Sequence, residues 1–184
     1  MRRFLPWFAV KVRARSEKLI ASILEYKGYT TFVPSYRTQK VWTDRVVDAE
    51  LPLFPGYLFC QVDPHSYWLP ILQTPGAKSF VSFGGVLAEV DRLEIEALQV
   101  AMRSGRQLQP WPYLRAGQRV VVEHGAFSGL EGLLLRTRGE DRLILSVTLL
   151  QRSVAVEIER CWVRPILPPR PLHSGAAISL QSGA

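Results

Sequence analysis

The chain has 184 residues, with 23 basic and 16 acidic side chains and a formal charge of +7 at pH 7. That length fits one or two domains. Hydrophobic residues make up 47% and aromatic residues 10%, which supports a folded core and excludes a chain that is disordered throughout. No apolar run approaches the ~20 residues of a membrane-spanning helix, so we expect no membrane association.

The basic excess lies near the N-terminus. Residues 1–45 contain ten basic and three acidic side chains, whereas residues 46–184 contain thirteen of each. Eighteen of the 23 cations are arginines, whose planar fork of donors suits phosphates and base edges. The pattern therefore indicates a nucleic acid as the partner of the N-terminal part.

The first elements along the chain are a strand and an amphipathic helix. Trp7–Val12 alternates like a strand, and residues 19–24 repeat apolar side chains at helical spacing between a candidate N-cap, Ser16, and Gly28. A strand follows at 39–47, predicted at a sheet edge or in a projecting hairpin.

Basic side chains gather where this strand–helix start and the hairpin lie. Cations near the start of a helix interact unfavourably with the helix dipole, so their presence favours an anionic partner over a merely solvated surface. The basic cluster at this junction and hairpin comprises Lys11, Arg13, Arg15, Lys18, Arg37 and Lys40.

Residues 51–62 form the most apolar segment of the N-terminal half, and Pro55-Gly56 interrupts it. We expect a central strand after this break. The period of two places Leu58 and Cys60 on one side of the strand. One interpretation is an ordinary buried strand entered through a turn. If Leu58 and Cys60 face the core, however, the other side carries an aromatic patch that requires a partner. The patch consists of Phe54, Tyr57 and Phe59.

The C-terminal half predicts a second domain. Asp91–Glu94 has the pattern of a capping box at the start of a helix. Residues 104–116 contain prolines and glycines without an apolar period, which predicts a linker. Five short β-rich runs within 117–166 predict a small barrel. Residues 167–184 lack periodicity, which predicts a disordered tail. The predicted fold class is α+β.

Catalytic chemistry finds no support in the sequence. The three histidines are isolated from one another, and the two cysteines lie far apart, which argues against a nucleophilic dyad, a zinc site and a disulfide. A reducing cytoplasm fits this cysteine usage. The carboxylates with basic neighbours favour surface ion pairs over a nuclease metal site. They are Asp44, Asp48, Glu50 and Asp63. We expect no enzyme activity, metal or cofactor.

The order of these features resembles the NusG family of transcription elongation factors. The resemblance covers residues 5–166 and rests on Leu53-Phe-Pro-Gly-Tyr-Leu-Phe59 together with Gly125-Ala-Phe-Ser-Gly-Leu-Glu-Gly132. It implies an NGN domain at 5–103, an α/β sandwich with a mixed or antiparallel sheet. A linker at 104–116 would join it to a five-stranded, SH3-like KOW β-barrel at 117–166.

The resemblance also implies partners. In the family, the apolar patch of the NGN domain docks on the clamp helices of the RNA polymerase β′ subunit and suppresses pausing. The matching positions are Ala9, Phe54, Pro55, Tyr57, Phe59 and Phe83. Specialised members such as RfaH also contact the non-template DNA strand, for which the basic cluster supplies the matching residues. Residues 50–55 and 80–84 look closer to these paralogues, which implies a monomeric antiterminator acting on selected operons.

The barrel of NusG binds ribosomal protein S10 or Rho through a Phe-Gly-Arg turn. Here Leu149-Leu150-Gln151-Arg152 stands instead, so S10 is an expected partner of Leu149, Leu150 and Arg152, whereas the change argues against Rho. Two alternatives stay open: a housekeeping NusG of Rho-dependent termination, and a translation-associated KOW module that binds RNA. Residues 114–167 carry eight basic and six acidic side chains, which is little charge for gripping RNA.

Overall fold

A computed structural model describes residues 5–42, 45–65, 68–111, 117–137 and 140–166. Asp44, most of the second half of the predicted linker and the predicted tail at 167–184 lie outside the described residues, as do the side chains of Lys40, Trp42 and Thr137. Within the described ranges no helix is long and apolar enough to span a membrane.

The N-terminal part alternates short strands with helices. In chain order its elements are β1 (Trp7–Val12), α1 (Glu17–Tyr26), β2 (Thr30–Phe32), β3 (Ser35–Trp42), β4 (Arg45–Pro52), β5 (Tyr57–Gln61), α2 (Leu69–Leu72), β6 (Ala77–Phe80), β7 (Ser82–Phe83), β8 (Val86–Leu87), β9 (Glu89–Val90) and α3 (Arg92–Arg103). The predicted strand–helix start and the central strand after Pro55-Gly56 are present, and Gly28 follows α1 with φ of 90°.

The main sheet has the order β2-β5-β1-β6 with β9 also paired to β1, and all of these pairs are antiparallel. Ala9 of β1 lies opposite Phe59 of β5. On one side of the sheet, Leu58 and Cys60 pack with residues of α1 such as Leu24. The predicted alternation is therefore confirmed, and the face with Ala9 and Phe59 belongs to a second core.

The strands β3 and β4 form a separate two-stranded ribbon, as expected for a projecting hairpin. Along it Arg37 lies opposite Glu50, and Val41 lies opposite Val46. These two valines are 81% and 59% exposed. The ribbon therefore pairs its charges near the body of the protein and carries apolar side chains towards its end.

The C-terminal part, for which we keep the name barrel, is a six-stranded antiparallel sheet with the order β10-β14-β13-β12-β11-β15. Its strands are β10 (Leu108–Trp111), β11 (Gln118–Val122), β12 (Glu131–Thr137), β13 (Glu140–Val147), β14 (Arg152–Glu157) and β15 (Val163–Pro165). Five of them correspond to the predicted β-rich runs.

The sixth strand, β10, lies inside the segment predicted as a linker. Pro110 gave that segment the composition of a loop, yet it lies opposite Val154 in an edge strand, where a residue without an N–H group is tolerated. The ring of Trp111 packs under the Arg142 guanidinium, 5.4 Å from its centroid. The first part of the predicted linker is thus attached to the barrel.

The glycine-rich segment between β11 and β12 carries a buried aromatic side chain. Phe127 lies in a 3₁₀ turn there and is fully buried. Gly132 allows the neighbouring strand to approach, because a Cβ atom on it would lie 2.8 Å from the Ile144 carbonyl oxygen and 2.8 Å from Leu143 Cδ1. No side chain fits at this position without displacing backbone.

We predict that Gly132→Ala destabilises the protein by about 1–3 kcal/mol, because the added methyl group overpacks the contact between β12 and β13. Urea denaturation gives the change in the free energy of unfolding. Gly117→Ala is the matched control: its Cβ would make a 3.4 Å contact with Leu133 Cβ, so we expect a change within about 0.5 kcal/mol. Equal destabilisation by both changes would contradict the close approach at Gly132.

Candidate protein-binding face and nucleic-acid edge

The turn that begins the aromatic segment is held by a buried carboxylate. Gly56 has φ of 83°, and its N–H group donates a 2.8 Å hydrogen bond to Glu17 Oε1. Glu17 lies in the first turn of α1 and is only 3% exposed. The Gly56 carbonyl accepts from the Val12 N–H at 2.9 Å. Sequence reasoning missed this role of Glu17, since its only signal was an acid near the start of a helix.

The structure places the predicted patch residues in three environments. Phe83 is 67% exposed on the small β7–β8 hairpin, Pro55 is exposed, and Tyr57 is half-buried. The other three are buried almost completely, which differs from an open patch: Ala9, Phe54 and Phe59. The rings of Phe54 and Phe59 meet edge to face, with centroids 5.8 Å apart.

The predicted patch is covered by other parts of the same chain, namely α3 and the barrel. The core that contains Phe54 and Phe59 continues through α3, with Ile95 and Leu98, into the barrel. The helix α3 packs against β13 and against the turn that carries Phe127. The barrel and the N-terminal part therefore share one apolar core, an arrangement that we call the closed arrangement.

A carboxylate on α3 reinforces the closed arrangement. Asp91 caps α3 as predicted, accepting from the Leu93 N–H at 2.8 Å. Glu94, in the capping-box position, instead accepts from the N–H group of Thr148 at 3.1 and 3.2 Å and from its hydroxyl at 2.6 Å. Burial raises the pKa of the Glu94 carboxyl, and the hydrogen bonds from Thr148 oppose that rise only in part.

The turn at 148–152 also lies in this contact. Leu149 and Leu150 are half-buried against the shared core. The Arg152 guanidinium stacks over the Tyr57 ring, 5.5 Å from its centroid, which is a favourable cation–π geometry. The residues predicted to bind an S10-like partner and the residues predicted to bind polymerase thus contact each other.

The basic cluster divides into two groups. Lys11, Arg13 and Arg15 are exposed where β1 meets α1, and Arg15 has φ of 67°. Lys18 forms an ion pair with Glu50, which also accepts a hydrogen bond from Ser35. These contacts lower the pKa of the Glu50 carboxyl. The hydrogen bond from Lys18 has the largest effect, and the hydrogen bond from Ser35 and the nearby charge of Arg37 add to it. Lys40 lies in β3, with its side chain outside the described part.

The acidic side chains considered for a metal site are dispersed. Glu50 is engaged by Lys18, and Asp63 accepts a 2.9 Å hydrogen bond from the His65 N–H. Asp48 lies on the exposed ribbon, and Asp44 lies outside the described residues. Within the described part of the chain, no three His, Cys, Asp or Glu side chains gather in a way that would hold a metal ion.

Comparisons with known proteins agree with this architecture. The family described as "Transcription termination factor nusG" matches residues 5–99. The chain is similar to the "Transcription termination/antitermination protein NusG" of Lactococcus lactis, with 26% identity covering 87% of this chain and 92% of the relative. It is equally similar to the protein of that description from Thermus thermophilus, with 26% identity covering 84% and 95%.

One solved structure, described as "Domain interaction in Thermotoga maritima NusG", shares the fold with a TM-score of 0.54. It is 19% identical, and the alignment covers 88% of this chain and 97% of that chain.

We predict that the closed arrangement becomes more populated as pH falls. Because burial raises the pKa of Glu94 when the barrel is docked, the docked carboxyl holds its proton more tightly than an exposed one. This contribution to docking is complete below the ordinary pKa of a glutamate and is lost as pH rises through the raised value. Energy transfer between dyes on Cys161, which is exposed, and on Ser79→Cys in β6 reports the docking.

Labelling is selective because burial raises the pKa of the Cys60 thiol to about 12. Glu94→Gln is the control and removes the titrating group, so its energy transfer does not respond to pH in this window. An identical pH response in both proteins would rule out Glu94 as its source.

Proposed function

This chain belongs to the NusG family, whose sequence pattern covers residues 5–99, and from that premise we propose that it acts on elongating RNA polymerase. It is a transcription factor of the termination/antitermination type. In the proposed mechanism, the face with Phe54, Tyr57 and Phe59 binds the clamp helices of the β′ subunit, suppresses pausing and promotes antitermination. The observation that carries the proposal is that this apolar face is covered by a distant part of the same chain. We propose that the partner takes the place of that part.

If the barrel and the clamp helices bind the same apolar face in turn, the activity of the factor is regulated by the balance between them. Exposing Phe54 and Phe59 to water is unfavourable by about 1.5–3 kcal/mol for each side chain, so the face stays covered without polymerase. The clamp helices replace the barrel only if they bind the open chain well enough to offset this cost. The protein then binds as a monomer and shifts polymerase towards its elongating state without forming or breaking a bond.

The basic cluster supports a role for DNA in this exchange. Lys11, Arg13 and Arg15 stand exposed at the end of the sheet, where a displaced non-template strand would meet the factor beside polymerase. A factor that needs a signal to open is suited to selected operons rather than to every elongating polymerase. We propose that contact with this strand supplies part of that signal.

Opening also frees the turn at 148–152 for a second partner. Leu149 and Leu150 would then offer an apolar surface, with Arg152 released from Tyr57. We propose ribosomal protein S10 as this partner and do not propose Rho, because the Phe-Gly-Arg turn is absent. The barrel would thus bind one partner in the closed arrangement and another in the open one.

We predict that Thr148→Ala combined with Arg152→Ala raises the apparent affinity for core RNA polymerase about tenfold. The two changes remove contacts worth ~1–2 kcal/mol, which increases the fraction of open chain. Titration of labelled protein with core polymerase measures the affinity. Arg136→Ala is the control, since it removes an exposed cation of the barrel outside the contact, and it leaves the affinity unchanged.

The same double variant tests the aromatic patch. Adding Tyr57→Ala abolishes the gain if the open face binds polymerase, whereas adding Leu19→Ala, a 65% exposed residue on α1 across the sheet, preserves it. The proposal is wrong if Tyr57→Ala leaves the tighter binding intact.

We predict a graded effect of the basic cluster on binding to single-stranded DNA. Each lost phosphate contact reduces the slope of log K against log salt by roughly 0.7. Lys11→Ala therefore flattens the slope by about that amount, and Lys18→Ala by less, because Glu50 already pairs its ammonium group. Fluorescence anisotropy of a labelled oligonucleotide across a salt series measures both. A larger effect of Lys18→Ala would contradict the division of the cluster.

A further inference from the structure

A cavity of about 530 Å³ lies between the N-terminal part and the barrel. From the N-terminal side it is lined by Tyr36, Leu53 and Pro55, and from the barrel side by Pro110 and Trp111. Its volume is in the range of small-molecule sites, which commonly form between domains with mostly apolar walls and a few polar groups. The cavity is distinct from the aromatic contact of Phe54 with Phe59, which is closed by direct packing.

The backbone around this cavity is unusual. Arg15 has φ of 67° and Gln151 has φ of 53°, and they are the two non-glycine residues with positive φ in the described ranges. Both line the cavity, although one follows β1 and the other precedes β14. Left-handed conformations are unfavourable for long side chains, and such strain is concentrated where a site must hold a particular geometry.

The charges at the cavity are arranged for an anion. Arg15 and Arg152 line it from opposite sides of the junction. The acidic group there is Glu17, whose carboxylate already accepts the hydrogen bond from the Gly56 N–H. Two arginines beside aromatic and proline walls suit a ligand that combines an apolar aromatic body with a negative charge.

We propose that this interdomain cavity binds a small aromatic carboxylate or sulfonate, with its ring between Trp111 and the prolines and its anionic group at Arg15 and Arg152. Such a ligand contacts both parts of the chain at once. It therefore binds the closed arrangement and stabilises it by mass action. The inference rests on the closed arrangement and deepens the proposed function, in which the ligand would keep the factor inactive.

The test uses the full chain and 1-anilinonaphthalene-8-sulfonate, a dye with a flat aromatic body and one sulfonate. We expect one saturable site per chain by fluorescence titration. Two variants probe it: Arg15→Gly removes a guanidinium and suits a φ of 67°, and Ala14→Phe fills space from another lining residue. Each lowers the affinity at least tenfold.

Matched controls separate the cavity from general charge and apolar surface. Lys11→Ala removes an exposed cation that does not line the cavity, and Ser79→Phe adds an exposed aromatic ring on β6. Both retain the wild-type affinity within twofold. The inference is overturned if the wild-type chain shows no single saturable site, or if Arg15→Gly binds the dye as well as Lys11→Ala does.

These outcomes are independent of polymerase. Weak dye binding with the predicted response of polymerase binding to Tyr57→Ala would reject the cavity alone. Tight dye binding with no response to Tyr57→Ala would reject the proposed polymerase surface alone. Energy transfer between Cys161 and position 79 provides a further readout, because a bound ligand should increase docking in the wild-type chain and not in Arg15→Gly.

Discussion

The structure depends on the need to cover both faces of one antiparallel sheet. The helix α1 covers the side with Leu58 and Cys60, and the opposite side presents Ala9, Phe54 and Phe59. An apolar face of this kind must be buried against another layer. The helix α3 and the barrel cover this side together. The second core therefore extends across two parts of the chain that are distant in sequence. In the proposed function, covering by the barrel and binding of polymerase are therefore alternatives for the same surface.

Three glutamates show how burial and pairing give one residue type different roles. Glu17 is buried and holds the turn at Gly56 from within the N-terminal part. Glu50 is paired with Lys18 on the surface, and that pairing lowers its pKa. Glu94 bridges α3 and Thr148, and burial raises its pKa. The first contact holds the turn before the aromatic face, the second pairs one cation of the basic cluster, and the third joins α3 to the barrel.

Docking also creates features that neither part has alone. The cavity takes walls from the end of β4 and from β10, and the strained residues Arg15 and Gln151 both line it. The Arg152 guanidinium completes its cation–π contact only with the Tyr57 ring beneath it. Because all of these features depend on docking, a change at any one of them shifts the same equilibrium in the proposed exchange.

The sequence by itself determined the features that a few neighbouring residues encode. The alternation along 57–61 separated the two faces of β5, and Asp91 marked the start of α3. The order of the motifs also indicated the family. Each of these signals needs only the local period of a strand or helix or the conformational freedom of a glycine.

Tertiary structure decided which of these features meet. Only docking joins the core that contains Phe54 to the barrel and brings Glu94 within hydrogen-bond distance of Thr148, 54 residues away. The placement of Pro110 in an edge strand likewise depends on β14 as a neighbour. Local patterns specify what a segment can form, whereas the contacts of its free face depend on the packing free energy of the whole chain, which no short stretch of sequence contains.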